Sequence, residues 1–164
     1  MVTKQDIIAS FDPSNVGVNN RNLFGFPFNY ETADVLVLGV PWEVTVSYGA
    51  GTAQGPQALL DASPQLDFFD LDNPTGWHQG IFMMPISSDL IVQNADLRGK
   101  AAQVIAGQER GIAPQQDATL SEYLAEVNQG CEVMNQWVRE QSRDAIAQGK
   151  KVAVVGGDHS VPLG

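Results

Sequence analysis

The sequence predicts a parallel α/β fold, and three stretches carry that prediction. "ADVLVLGVP" (33–41) is an unbroken aliphatic and β-branched run closed by Gly39 and Pro41, the pattern of a strand buried on both faces. "KKVAVVGG" (150–157) is a second such run. Between them, from Thr119 to Gln148, Leu120, Leu124, Val127, Cys131, Met134, Val138 and Ile146 recur at helical spacing, and Gly149 supplies the stop. Strand, helix and strand of this kind pack as a parallel sheet joined by right-handed crossovers.

Residues 1–33 join a short amphipathic turn at Ile7 and Ile8 to the Gly, Pro and Asn-rich "NVGVNNRNLFGFPFNYET", which reads as an irregular N-terminal arm; residues 34–164 form the α/β part. After the first strand and a long loop, Gly55-Pro56 opens a helix with proline in its first turn, where the missing N–H costs nothing. Ala58, Leu59, Ala62 and Leu66 continue it until Pro64 disturbs the pattern. "GIFMMPISSDL" holds a second, short strand, and "DLRGKAAQVIAGQERG" a helix weakened by Gly99 and Gly107. Thr119 and Glu122 have the spacing of a capping box. The stretch to Gln148 is one long helix or two joined near Gly130.

Composition narrows the function. At 164 residues with 43% apolar content, the chain has the length of one domain and enough apolar surface for a core. Nine basic residues against 19 acidic give a net charge of -10, so no basic stripe exists to neutralise nucleic-acid phosphates or an anionic membrane surface. The acidity is compatible with a cationic substrate or metal ions, and equally with simple solubility. Cys131 is the sole cysteine, which excludes a disulfide framework or a zinc knuckle and suits a reducing, cytoplasmic setting. No signal-peptide core or membrane-length apolar run is present.

The chemistry concentrates in "VAVVGGDHS" (152–160). Open α/β sheets bind ligands outside the carboxyl ends of their strands. Gly156 and Gly157 there allow positive φ and close approach, Asp158 and His159 emerge at the sheet edge, and Asp158 or Ser160 can cap a subsequent helix. A neutral imidazole in that place serves as a metal ligand, a general base or a residue of the capping loop.

"GGDHS" at the end of an apolar strand resembles the first metal-ligand motif of the ureohydrolases, the family of arginases, agmatinases, formimidoylglutamases and guanidinobutyrases. "VLGVPWEVTVSYGAGTAQGPQALLDASPQLDFFD", within residues 36–70, is similar to that family's first strand, glycine-rich loop and adjoining helix. The resemblance runs over most of residues 34–164 and is closest to agmatinase-like members. The arginine many members carry near Ala53, and their Ile-Arg pair near Leu59-Leu60, are absent. The resemblance implies a three-layer arginase-like sheet with flanking helices, incomplete at its C-terminus. It implies a pair of manganese ions activating a water that attacks a guanidinium carbon and releases urea. It further implies His159 as a ligand to one manganese, Asp158 as an adjacent orienting group, a guanidino small-molecule substrate and a homo-oligomer. The family's Asp-Ala-His-x-Asp and Ser-x-Asp-x-Asp segments, its proton-shuttling histidine and its guanidinium-facing glutamate are not in the sequence, so no catalytic residue is assigned. The expectation is an N-terminal portion of an agmatine-like ureohydrolase, inactive alone.

Competing patterns are weaker. "GAGTAQG" (49–55) lies ten residues beyond Gly39 and lacks the Gly-Lys-Ser/Thr of a nucleotide loop, which leaves no cofactor-binding residue to name. Ser47, Ser87 and Ser160 have no nucleophile-elbow setting. His78 falls in a turn-rich segment, and Trp42, Trp77 and Trp137 read as packing residues. The alternative to an enzyme is a non-catalytic α/β oligomerisation or binding domain.

Overall fold

β1 (Val35–Val40) forms where valine and leucine succeed one another without a polar break, and every residue after the first is buried. The computed structural model that shows this describes residues 2–46, 48–66 and 68–164. β2 (Ile81–Met83) pairs with β1 in parallel, Val35 opposite Ile81 and Val37 opposite Met83. β3 (Lys151–Gly156) lies along the other side, giving the order β2-β1-β3. The Lys151 N–H donates to the Asp34 carbonyl (2.8 Å) and, past both strand ends, the Asp158 N–H donates to the Trp42 carbonyl (2.9 Å), so β3 runs the same way as β1. The fold is α/β, a parallel sheet with flanking helices, as the sequence predicts. β3 differs from expectation in its burial: Lys151 and Ala153 are exposed and its other residues only half-buried, because it is an edge strand.

The helices are α1 (Lys4–Ser10), α2 (Gly55–Ala62), α3 (Ser88–Glu109) and α4 (Ala118–Ala147). α4 is a single helix. Gly130, where a break was open, sits inside it, and a Cβ there would collide with Leu97, so the glycine is a point of close approach to α3. The N-cap is Asp117, whose Oδ1 accepts from the N–H groups of Thr119 (2.9 Å) and Leu120 (3.1 Å); it replaces the expected Thr119 and Glu122 pair. α3 begins earlier than its glycines suggest because Ser87 caps it, accepting from the Leu90 N–H at 3.3 Å. Among the described residues no helix is long and apolar enough to cross a membrane.

The chain forms two compact units. The first comprises Met1–Gly39, Pro56–Ile86 and Gln141–Val155. Its core joins Ile7, Phe26, Phe28, Leu36, Trp77 and Ala145. Residues 15–32 lack regular structure apart from one 3₁₀ turn, and a single side chain organises much of them. Asn22 is 6% exposed; its Nδ2 donates to the carbonyls of Phe26 (2.9 Å) and Phe28 (3.0 Å), and its Oδ1 accepts from Leu23 (2.9 Å) and from Met83 of β2 (3.1 Å). The second unit comprises Val40–Gly55, Ser87–Glu140 and Gly156–Gly164, and so contains the segments that leave the carboxyl ends of β1 and β3.

Candidate functional site

β1 runs on into Pro41 and Trp42, and the loop from there to Gly55 takes its order from one carboxylate. Glu43 is 8% exposed, and its Oε2 accepts from the N–H groups of Gly51 (2.7 Å) and Ala53 (3.1 Å) and from the Thr52 hydroxyl (3.1 Å). Gly51 adopts a φ of 130°, a conformation that a side chain would oppose. Burial pushes the Glu43 carboxyl up, but the N–H groups of Ala53 and Gly51 and the contacts to Thr52 together outweigh it and hold the pKa below the usual value. α3 grips the same loop: Asn94 Oδ1 accepts from the Glu43 N–H (2.7 Å), and Arg98, one helical turn on, donates from Nη1 to the Val44 carbonyl (3.2 Å).

The end of β3 meets this loop. A Cβ on Gly157 would collide with the carbonyl of Trp42, and one on Gly55 would stand 3.2 Å from the carbonyl oxygen of Gly156. Neither Gly156 nor Gly157 has a positive φ, so the left-handed turn the sequence allowed is not used; Gly157 is required by the approach of the Trp42 backbone, and Gly156 leaves room for the Val161 side chain. Asp158 then closes the turn: its Oδ1 accepts from the Ser160 N–H (2.9 Å) and hydroxyl (2.6 Å). The sequence offered Asp158 or Ser160 as a helix cap, and neither side chain caps the 3₁₀ turn Val161–Leu163: Ser160 is at the N-cap position without a side-chain bond, and Asp158 bonds Ser160 alone.

His159 projects from this turn and is exposed. It lies in the same unit as the Trp42–Gly55 loop, at the carboxyl end of its strand, where the sequence placed it. Trp42 is fully buried and packs, as expected. Cys131, on α4, is half-buried; burial pushes its thiol up, partly offset by the indole N–H of Trp42, with the charge of Asp158 adding to the rise. His78 belongs to the first unit, edge-on to Trp77 at 4.4 Å between ring centroids. Ser87 is a helix cap, Ser160 is tied to Asp158, and Ser47 lies outside the described residues.

A single exposed imidazole can offer one lone pair to a metal or carry one proton. Among the described residues there is no group of three or more His, Cys, Asp or Glu side chains able to hold a metal ion, so these side chains do not fit a two-metal centre by themselves.

The sequence profile of the Arginase family matches residues 33–164, which is most of the chain and includes the Trp42–Gly55 loop, α3, α4 and the turn that carries His159. The chain belongs to the arginase family. A curated relative, the N(1)-aminopropylagmatine ureohydrolase of Synechocystis sp., is 45% identical to this arginase-family chain over 42 residues. That match covers 26% of the chain and 14% of the relative. No solved structure matches the chain.

Several residues that build the site escaped the sequence reading. Glu43 had a visible signal, an acidic residue shortly ahead of a glycine-rich stretch whose N–H groups need an acceptor. Asn94 and Arg98 had none, because a polar residue on a helix looks the same whether it faces water or a loop.

Proposed function

We propose that this chain serves a manganese-dependent ureohydrolase acting on an agmatine-like guanidino compound, with urea as product, and that His159 is a ligand to one of the two ions. The observation that carries the reading is the placement of His159: exposed, at the carboxyl end of a parallel strand, on a turn fixed by Asp158 and next to a loop ordered by Glu43, in a chain whose family is the arginases. The aminopropylagmatine named for the Synechocystis relative belongs on the substrate panel. The remaining ligands would come from outside these 164 residues, so the chain alone is inactive and binds manganese weakly. A cytoplasmic homo-oligomer is the form in which we expect it to act.

The test is an assay of the purified chain with manganese and, in turn, agmatine, aminopropylagmatine, arginine, guanidinobutyrate and formimidoylglutamate. We expect no urea, ammonia or formamide above a His159→Ala control. Weak manganese binding, read by electron paramagnetic resonance, should disappear in that control. Product above the control overturns the inactivity, and binding unaffected by His159→Ala overturns the ligand assignment.

A non-catalytic α/β binding or oligomerisation domain is the second reading, favoured by the lack of a metal-holding group among the described residues. It predicts no manganese binding through His159 at all.

A further inference from the structure

The N-terminal arm, which the metal reading leaves without a role, lines a cavity of about 200 Å³. The cavity lies within the first unit, where the end of α1, the 15–18 segment, the 3₁₀ turn Leu23–Gly25 and the stretch after α2 come together. Its walls are aromatic, formed by Phe11, Phe24, Phe26 and Phe68. The rings make one connected group, with centroids 5.6 Å apart for Phe11 and Phe26, 4.5 Å for Phe26 and Phe68, and 4.4 Å for Phe24 and Phe68.

The backbone around these rings is held in place. Phe24 adopts a left-handed conformation (φ 63°, ψ 9°) that a bulky side chain resists. Its N–H donates to the Oγ of buried Ser63 at 2.8 Å. Asn20 Nδ2 donates to the carbonyls of Gly25 (3.1 Å) and Phe26 (3.0 Å), and Gly17 approaches the Pro64 carbonyl too closely for any side chain. Strain of the kind seen at Phe24 gathers where a ligand is clamped. Val16, Val18 and Leu66, at the rim of the cavity, leave apolar surface exposed.

Charge selects the occupant. Among the described residues Asp12 is the one ionisable side chain in the lining. Its Oδ1 accepts from the Ser14 N–H at 2.9 Å, and no group among the described residues bonds its Oδ2. The faces of phenylalanine rings are electronegative and attract a cation within about 6 Å of the ring centroid. A carboxylate beside them adds to that attraction, and both repel an anion. The volume equals the share of about seven water molecules and falls below the range of drug-sized sites, so the occupant is small.

We propose that this cavity binds a small organic cation, a short-chain alkylammonium, with its alkyl chain against the phenylalanines and its ammonium at Asp12. No residue of the cavity enters the metal reading, and the proposal stands whether or not His159 holds manganese.

Titration of the ¹⁵N-labelled, metal-free chain with n-butylammonium tests it, with n-butanol as the neutral isostere and butyrate as the anion. We expect saturable amide shifts, largest at Asp12, Phe24, Phe26 and Phe68, with a millimolar dissociation constant, as so few non-hydrogen atoms allow. n-Butanol should bind about tenfold more weakly and butyrate not at all. Asp12→Asn, which keeps the carbonyl oxygen that Ser14 uses, should weaken n-butylammonium about tenfold and leave n-butanol unchanged. Phe68→Leu keeps the wall apolar without the ring and should weaken the cation about threefold. His159→Ala should leave the binding as it is. Absence of saturable n-butylammonium binding overturns the proposal, as does equal affinity for n-butanol or butyrate, binding that survives Asp12→Asn, or binding lost in His159→Ala. Should Phe68→Leu fail to fold, Asp12→Asn at its exposed position decides the matter.

Discussion

Asn22 in the first unit and Glu43 in the second are both buried polar side chains that organise irregular chain, and they do so with different chemistry. Asn22 is neutral and two-sided: it donates to two carbonyls and accepts from two N–H groups, reaching from the 15–32 segment to β2. Glu43 is one-sided and charged; a single oxygen gathers two N–H groups and a hydroxyl from one short loop. A neutral hub loses little on desolvation and is indifferent to pH. A charged hub makes stronger bonds but depends on its proton staying away. The contrast shows how one fold orders a structural segment permanently and a loop beside its candidate site conditionally.

Removing the neutral hub should have the largest effect. Asn22→Leu leaves several buried backbone groups unpaired, at about 1–3 kcal/mol each, so we expect a loss of about 4 kcal/mol or more in urea unfolding, the same at pH 5 as at pH 8. A loss that varies with pH would break the comparison.

Glu43→Gln comes next, at about 1–2 kcal/mol near neutral pH, with faster amide exchange confined to Gly51 and Ala53. Here pH sharpens the contrast. Because the folded pKa of Glu43 lies below the ordinary value of 4.5, the unfolded chain binds the proton more readily between the two values. The stability from Glu43 is therefore complete above about pH 4.5 and is lost as pH falls through the lower folded pKa. The gap between wild type and Glu43→Gln should stay constant from pH 6 to 8 and close on acidification.

The smallest effect tests a polar group that serves a regular element. Asp117→Ala should cost about 1 kcal/mol, seen as fraying of the first turn of α4 by circular dichroism and amide exchange.

The strands and α4 were legible because burial imposes a period on the sequence, two for a strand and 3.6 for a helix, or an unbroken apolar run where both strand faces are covered, and β1 and α4 obey it. Edge position is not periodic, which is why the valines of β3 gave no sign that their strand is half-exposed. The cap of α4 was misplaced by two residues because Asp117 and Thr119 are both good caps, and only geometry chooses between them. α3 starts before the predicted stretch because Ser87 caps it, and it tolerates Gly107, costly in an isolated helix, because that glycine makes room for Leu120. At the site, "GGDHS" announced His159 and held the Asp158–Ser160 bonds that close its turn, while the Trp42 carbonyl that receives the Asp158 N–H comes from a loop distant in sequence and leaves no local pattern. The two uses of asparagine, Asn22 in a core and Asn94 on a helix, look alike in one dimension.

The contact at Gly157 also limits how this region can evolve. Its Cβ would strike a carbonyl oxygen, not a side chain, and residue 42 presents that carbonyl whatever amino acid stands there. No compensating change elsewhere in sequence space removes the obstacle short of moving the strand ends apart. A diverging lineage can therefore rewrite the exposed residues of the neighbouring loop, such as Tyr48, but drift at position 157 is closed in every genetic background that keeps this backbone.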